Sequence, residues 1–324
     1  MKPIGGFLEL ELSQDGSSYH QTSLTYKSGR AAFNAILKHL HPSRVFVPFY
    51  CCDALLQPLQ QGGIRYEFYP IGPSFEPLTL PSLSDGDLFV YVNYFDLKRG
   101  CIERLSDQYR HRLVVDATQS FYMRGNGRSW FFNSCRKFFG VPDGAYLYVP
   151  EGYEKGFRTP EEENTRYIPD HLFYRFKGDM ENGYAAALQN EALLDTEQAA
   201  MSKLTRYLLG QVDYPAAATS RRENFRLLEQ KLGALNQLEL KLDEAAAPHY
   251  FPFLPDRLIE KQSLWNEQVF VPALWKDCLD RRRPGFEFEL RLSSAMLPLP
   301  IDQRYATDDM GRVVDVALKS YGAT

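Results

Sequence analysis

Lys137 is the residue on which chemistry can be built. It sits in the mostly apolar stretch Asn133-Ser134-Cys135-Arg136-Lys137-Phe138-Phe139-Gly140, which closes in a Pro142-Asp143-Gly144 turn and runs into an expected strand over 145–149. A lysine in such surroundings is either a surface cation or an amine made nucleophilic by desolvation. The second reading needs a partner. Upstream, Leu113-Val114-Val115-Asp116 is an apolar strand candidate with its aspartate at the C-terminal end. In a parallel sheet that end is where ligands bind, so acid and amine are expected to face one crevice.

A third feature lies near the N-terminus. Ser28-Gly29 immediately precedes a helical pattern, Arg30-Ala31-Ala32-Phe33-Asn34-Ala35-Ile36-Leu37. Backbone N–H groups at a helix start, opened by a glycine that lets a ligand approach, form a phosphate site. Plain N-capping by Ser28 is the alternative role. An amine, a carboxylate and a phosphate-type helix start are together what pyridoxal phosphate requires: the amine for its aldehyde, the acid for its ring nitrogen, the donors for its phosphate.

The elements that must position these residues read as βαβ units. Val45-Phe46-Val47 is a short strand leading to Pro48 and a helix through Leu59, with further strands over 64–69 and 87–93. Right-handed crossovers bring the strand ends at Pro48, Asn93 and Asp116 to one edge of a mainly parallel sheet. An alternating segment over 7–12 reads as an edge strand. The charged, proline-broken stretch 151–178 reads as a surface excursion or lid, and 184–210 as one long bridging helix. Beyond Tyr214-Pro215, the expected boundary, come a helix over 221–232, a strand at 250–254, a helix over 256–266, a strand at 269–271 and a closing helix over 308–318 capped by Thr307. The fold class is α/β, with a large domain over 1–213 and a small α+β domain over 214–324.

Composition narrows the function. The chain has 324 residues, a net charge of −4 and no basic block, which argues against nucleic acid as a partner. Arg281-Arg282-Arg283 reads as a solvated turn. No apolar run approaches the ~20 residues that span a bilayer, so the expectation is a cytoplasmic protein with no membrane partner. Five cysteines, including adjacent Cys51-Cys52, show no metal-ligand spacing and read as free thiols, and the six histidines form no zinc motif.

The chain resembles the DegT-type sugar aminotransferases. The resemblance rests on Ser28-Gly29-Arg30-Ala31-Ala32, Val47-Pro48, Asp116-Ala117-Thr118-Gln119, Lys137 with Asp143-Gly144-Ala145, Arg221-Arg222-Glu223-Asn224-Phe225 and Leu297-Pro298-Leu299-Pro300, in the family's order and spacing. It implies fold type I of the pyridoxal-phosphate-dependent transferases, with a mainly parallel sheet flanked by helices. It also implies ping-pong transfer of an amino group, typically from glutamate to a nucleotide-linked keto sugar, by a homodimer with small-molecule substrates. Residue by residue, Lys137 forms the aldimine and shuttles the proton, and Asp116 pairs with the ring nitrogen. Gln119 sits near the phenolic oxygen or the ring face, Gly29 and Arg30 give backbone N–H groups to the phosphate, and Asn93 stands beside the cofactor.

Three positions depart from the family pattern. Phe132 stands where a phosphate-binding serine is usual, which leaves Ser134 as the candidate. Cys52 stands near the usual ring-covering aromatic, which leaves Tyr50 as the candidate stack. Arg30 replaces a small hydroxyl residue. Two other classes of function are weighed beside transamination. Ser134-x-x-Lys137 literally fits an acyl-transfer motif, whose accompanying elements are absent. A catalytically silent sensor or structural partner could also keep the fold, although such a chain would have little need of an amine in this loop.

Overall fold

The computed structural model describes residues 16–322; the expected strand over 7–12 lies outside them. A seven-stranded sheet forms from β1 (Leu24–Tyr26), β2 (Arg44–Pro48), β3 (Arg65–Tyr69), β4 (Asp87–Val92), β5 (Leu113–Asp116), β6 (Trp130–Phe132) and β7 (Ala145–Tyr148). Their spatial order is β1-β7-β6-β5-β4-β2-β3. β6, β5, β4, β2 and β3 run parallel, while β7 is antiparallel to both of its neighbours. Every residue of β4 and β5 is buried, as expected of continuous apolar runs covered on both faces. The register pairs Val92 with Asp116 and Asp116 with Phe132, so the chain leaves β4, β5 and β6 at one level of the sheet edge.

Three helices follow the early strands: α1 (Gly29–Leu40), α2 (Asp53–Gln61) and α3 (Arg99–Tyr109). The 151–178 stretch is largely irregular and carries α4 (Asp170–Phe176), which pairs with α5 (Met180–Leu193). The single long helix expected over 184–210 is two, α5 and α6 (Lys203–Gly210). Between them the chain is drawn onto α1: Lys27 N–H donates to Ala199 O, Asn34 Nδ2 to Thr196 O and Ser28 Oγ to Asp195 O. These long-range bonds override the local helical periodicity.

Tyr214-Pro215 begins α7 (Tyr214–Leu232). Asp213 accepts from Ala216 N–H at 3.0 Å, and the proline occupies the first turn, where its missing N–H costs nothing. α7 packs on a two-stranded antiparallel sheet of β8 (Tyr250–Phe253) and β9 (Leu297–Pro300), with α8 (Lys261–Asn266), α9 (Asp277–Asp280), α10 (Glu287–Ala295) and α11 (Thr307–Gly322) around it. No strand forms at 269–271, and α8 covers only the end of the helix expected over 256–266. Thr307 is the first helical residue rather than its cap. Arg281 is not solvated: its guanidinium tucks against the carbonyl oxygens of Phe49 and Cys51. All five cysteines are free thiols, and no described helix is long and apolar enough to cross a membrane.

Candidate active site

Asp116 ends β5 with its side chain in a cavity between that strand, the start of α1 and the Lys137 loop. The Thr118 N–H donates to Asp116 Oδ1 at 2.9 Å, an Asx-type turn that fixes the carboxylate as the chain leaves the sheet. Burial pushes this acid up to about 6, against the opposing pull of the Thr118 bonds and of Lys137. Among the described residues no cation stands within ion-pair distance of it. A buried acid so placed has unfulfilled capacity for a cationic partner.

Lys137 closes a turn of 3₁₀ helix, Cys135–Lys137, that follows β6. It lines the same cavity as Asp116 and is itself exposed, although most of its neighbours in the stretch are buried. Its backbone is held from both sides. Cys135 N–H donates to Gly144 O, and Gly144 N–H donates to Lys27 O, tying the loop to the chain entering α1. Gly144 has φ +105°, and an added Cβ would stand 2.9 Å from Thr205. From the other side, His249 donates to Lys137 O at 2.9 Å, while Arg221 and Gln303 donate to Phe138 O. Asp143, the acid of the turn, is fully buried and accepts from Asn164 Nδ2, Ser202 N–H, Ser202 Oγ and Thr205 Oγ1.

The start of α1 forms the third wall. Ser28 caps the helix by accepting from Ala31 N–H at 3.1 Å, and its carbonyl accepts from Ala32 N–H. These caps do not reach the N–H groups of Gly29 and Arg30, which precede the first intrahelical bond. A Cβ on Gly29 would stand 3.1 Å from Asn133 O and 3.3 Å from Thr118, so the glycine lets the helix start approach the lysine loop. The Arg30 side chain turns into the cavity and binds Glu191 Oε1 and the Leu194 carbonyl, while Arg136 Nη2 binds Glu191 Oε2 at 2.5 Å. Burial alone would raise the Glu191 carboxyl. Arg136 and Arg30 outweigh burial and hold it below the usual carboxylate range.

Of the residues singled out from sequence, Ser28, Gly29, Arg30, Asp116, Ser134 and Lys137 line this one cavity. Tyr50 does not: it is fully buried, with its ring packed between Tyr94 and Trp275. Asn93 and Gln119 also lie off the cavity wall. Phe95 and Asp96 adopt φ of 58° and 62°, a strained arrangement for consecutive non-glycine residues. Gln119 Oε1 accepts from Phe95 N–H, and Asn93 Oδ1 from Lys98 N–H, so both amides are spent holding that turn. Cys52, the residue beside the expected aromatic, does line the cavity.

Thr118, Arg136, Glu191 and His249 escaped the sequence reading. Thr118 lies inside the quoted Asp-Ala-Thr-Gln segment, where its role was available. Glu191 pairs with arginines 161 and 55 positions away, a relation no local pattern displays. On the far side of Lys137 a cleft of about 600 Å³ opens, bounded by Arg136, Arg175, Arg221 and Arg304, with Asp302 as its one carboxylate among the described residues.

No family model and no curated protein sequence matches the chain. Solved structures do. The aminotransferase TlmJ from Streptoalloteichus hindustanus superposes with a TM-score of 0.65 at 15% identity, covering 93% of this chain and 86% of that one. A DegT DnrJ EryC1 StrS aminotransferase from Brucella abortus gives 0.62 at 14%, covering 92% and 85%. Spr1654 from Streptococcus pneumoniae, a putative sugar aminotransferase in its PMP form, gives 0.62 at 12%, covering 94% and 88%. The fold is the one these aminotransferases share. At such identity the likeness extends to the path of the chain, and chemistry has to be argued from the side chains.

Proposed function

We propose that this chain is a pyridoxal-phosphate-dependent aminotransferase that moves an amino group from glutamate to a keto sugar carried on a nucleotide, working as a cytoplasmic homodimer. The observation that carries the reading is the meeting of Lys137, Asp116 and the start of α1 in one cavity, in a fold shared with sugar aminotransferases. The proposed division into domains of residues 1–213 and 214–324 puts the cavity in the first of these, with His249, Arg221 and Gln303 of the second bonding the backbone of the Lys137 loop behind it.

The residues present fit the cofactor at both ends. Asp116 is a buried acid without a contacting cation among the described residues, suited to a protonated ring nitrogen. The N–H groups of Gly29 and Arg30, the Ser134 hydroxyl and two guanidiniums lie where an anion would be held. When bound, pyridoxal phosphate supplies an aldehyde for amines and an electron sink for the carbon beside them. Lys137 Nζ would hold that aldehyde at rest and, once displaced by a substrate amine, carry the proton at the substrate α-carbon. A positive ring facing Asp116 would offset the burial that raises this acid to about 6 and so favour its ionised form, which orients the cofactor in one sense.

The arginine-rich cleft beyond Lys137 supports an anionic acceptor such as a nucleotide-linked sugar. Exposed Phe173, Phe176, Tyr184 and Leu188 on α4 and α5 offer an apolar face to a second copy of the chain. The deciding experiment is the absorbance spectrum of the purified protein with pyridoxal phosphate, before and after glutamate. A yellow band that bleaches with glutamate is expected. A protein that stays colourless with added cofactor overturns the reading and favours a silent relative of the fold.

A further inference from the structure

We propose that the Arg30 and Arg136 side chains are ligands of the cofactor phosphate, and that Glu191 is an exchangeable carboxylate keeping their place until the phosphate arrives. The inference rests on the reading that the cavity takes pyridoxal phosphate. Each guanidinium binds a different oxygen of Glu191, so one carboxylate bridges two cations at the mouth of the helix α1 N-terminus. A phosphate dianion offers three oxygens and up to two charges at the same spot, against two oxygens and one charge, and so matches the pair of guanidiniums better.

Space points the same way. The cavity as it stands measures about 80 Å³, well below the ~300 Å³ at the small end of ligand pockets. Glu191 is part of its wall, and its side chain is 43% exposed, so it can swing outward without crossing the core. The helices around it bury little, although the backbone beside it is anchored through Asn190, which donates to Pro142 O, so the motion is one of the Glu191 side chain. α4 buries no residue, and α5 buries only Gly183, Ala186 and Asn190. Arg30 and Arg136 are better fixed, at 16% and 21% exposure, and Arg30 is also held by the Leu194 carbonyl. The carboxylate is therefore the mobile partner and the guanidiniums the stationary ones.

The test is calorimetric titration of the full chain, stripped of cofactor, with inorganic phosphate, pyridoxal phosphate and phosphate-free pyridoxal. Glu191→Gln is expected to bind both phosphate-bearing probes about tenfold more tightly than the wild type, and pyridoxal with unchanged affinity. Arg136→Gln is expected to bind the phosphate-bearing probes about tenfold more weakly. Wild type and Glu191→Gln binding pyridoxal phosphate equally well overturns the exchange and leaves the cofactor reading standing. An equal gain for pyridoxal also overturns it, because the effect then does not act through phosphate. Binding of inorganic phosphate in the expected ratio with no binding of pyridoxal phosphate upholds the anion site and sinks the cofactor reading. Glu191→Ala, with folding checked by thermal unfolding, serves as the second variant.

Discussion

The imidazole of His249 donates from Nε2 to the carbonyl oxygen of Lys137 over 2.9 Å. A carbonyl can only accept, so the proton sits on Nε2 and Nδ1 carries a lone pair; Nδ1 is buried with no hydrogen-bond partner among the described residues. Burial, with Arg221 and Lys137 adding to it, holds this histidine well below its ordinary range, so it stays neutral around pH 7. A residue just before β8 thus fixes the backbone at the amine, and Arg221 and Gln303 do the same for Phe138.

His249→Ala should therefore act on positioning. We expect kcat to fall by up to about a hundredfold with little change in acceptor KM. His249→Gln, which can still donate to Lys137 O, should recover part of the loss. The pH profile between 6 and 8 should keep its shape in both variants, since the wild-type imidazole does not titrate there. A wild-type inflection in that range that vanishes in His249→Gln would show instead that this histidine exchanges protons.

Lys137→Ala removes the only amine on the cavity wall among the described residues. Turnover should drop at least about a thousandfold, and the cofactor band should move to that of unattached pyridoxal phosphate. Retained turnover with glutamate and a keto acceptor would remove Lys137 from the chemistry. Stability should hardly change, because the side chain is exposed.

Asp143 tests the scaffold separately from the chemistry. Its carboxylate gathers donors from Asn164, Ser202 and Thr205, which ties the turn after Lys137 to the entry of α6. Asp143→Ala leaves those donors buried and unpaired and should cost ~3 kcal/mol or more in urea unfolding. A loss below ~1 kcal/mol would mean that water replaces the carboxylate easily.

The division between what could and could not be read from the chain follows the range of the interactions. β5 and β7 are readable because each is an apolar run bounded by turn residues; Asp116 ends the first, and Lys137 stands ahead of the Pro142-Asp143-Gly144 turn that leads into the second. β1 and β6, three residues each, give no alternation to detect; they exist because the sheet pairs them. The break between α5 and α6 was hidden for the same reason, since it is made by bonds to α1. Asn93 and Gln119 stand beside the cofactor by their positions in the resemblance, and Tyr50 only as a substitute for the aromatic missing at Cys52; local demands claim all three, an aromatic core for the tyrosine and a strained turn for the two amides. Glu191 shows the limit best, being one acid among many in a polar helix until the fold puts two arginines around it.

Asp116 carries a prediction in which function and stability oppose each other. Its folded pKa, about 6, lies above the ordinary carboxylate value of 3.8 because burial penalises the charged form. For an acid raised in this way the folded state binds more protons than the unfolded state between those two values, so stability falls as pH rises through the window and stays lower above it. At pH 7 the buried charge should cost the cofactor-free protein about 3 kcal/mol. Asp116→Asn keeps an oxygen for the Thr118 N–H and removes the charge. It should raise the urea midpoint of the cofactor-free protein at pH 7, and the gain should shrink toward zero by pH 4. The same change should weaken pyridoxal phosphate binding and slow α-proton removal by orders of magnitude, since the ring nitrogen loses its counter-charge. An Asp116→Asn protein no more stable than the wild type at pH 7 would mean that a cation, supplied by Lys137 or by solvent, already compensates the acid before any cofactor binds.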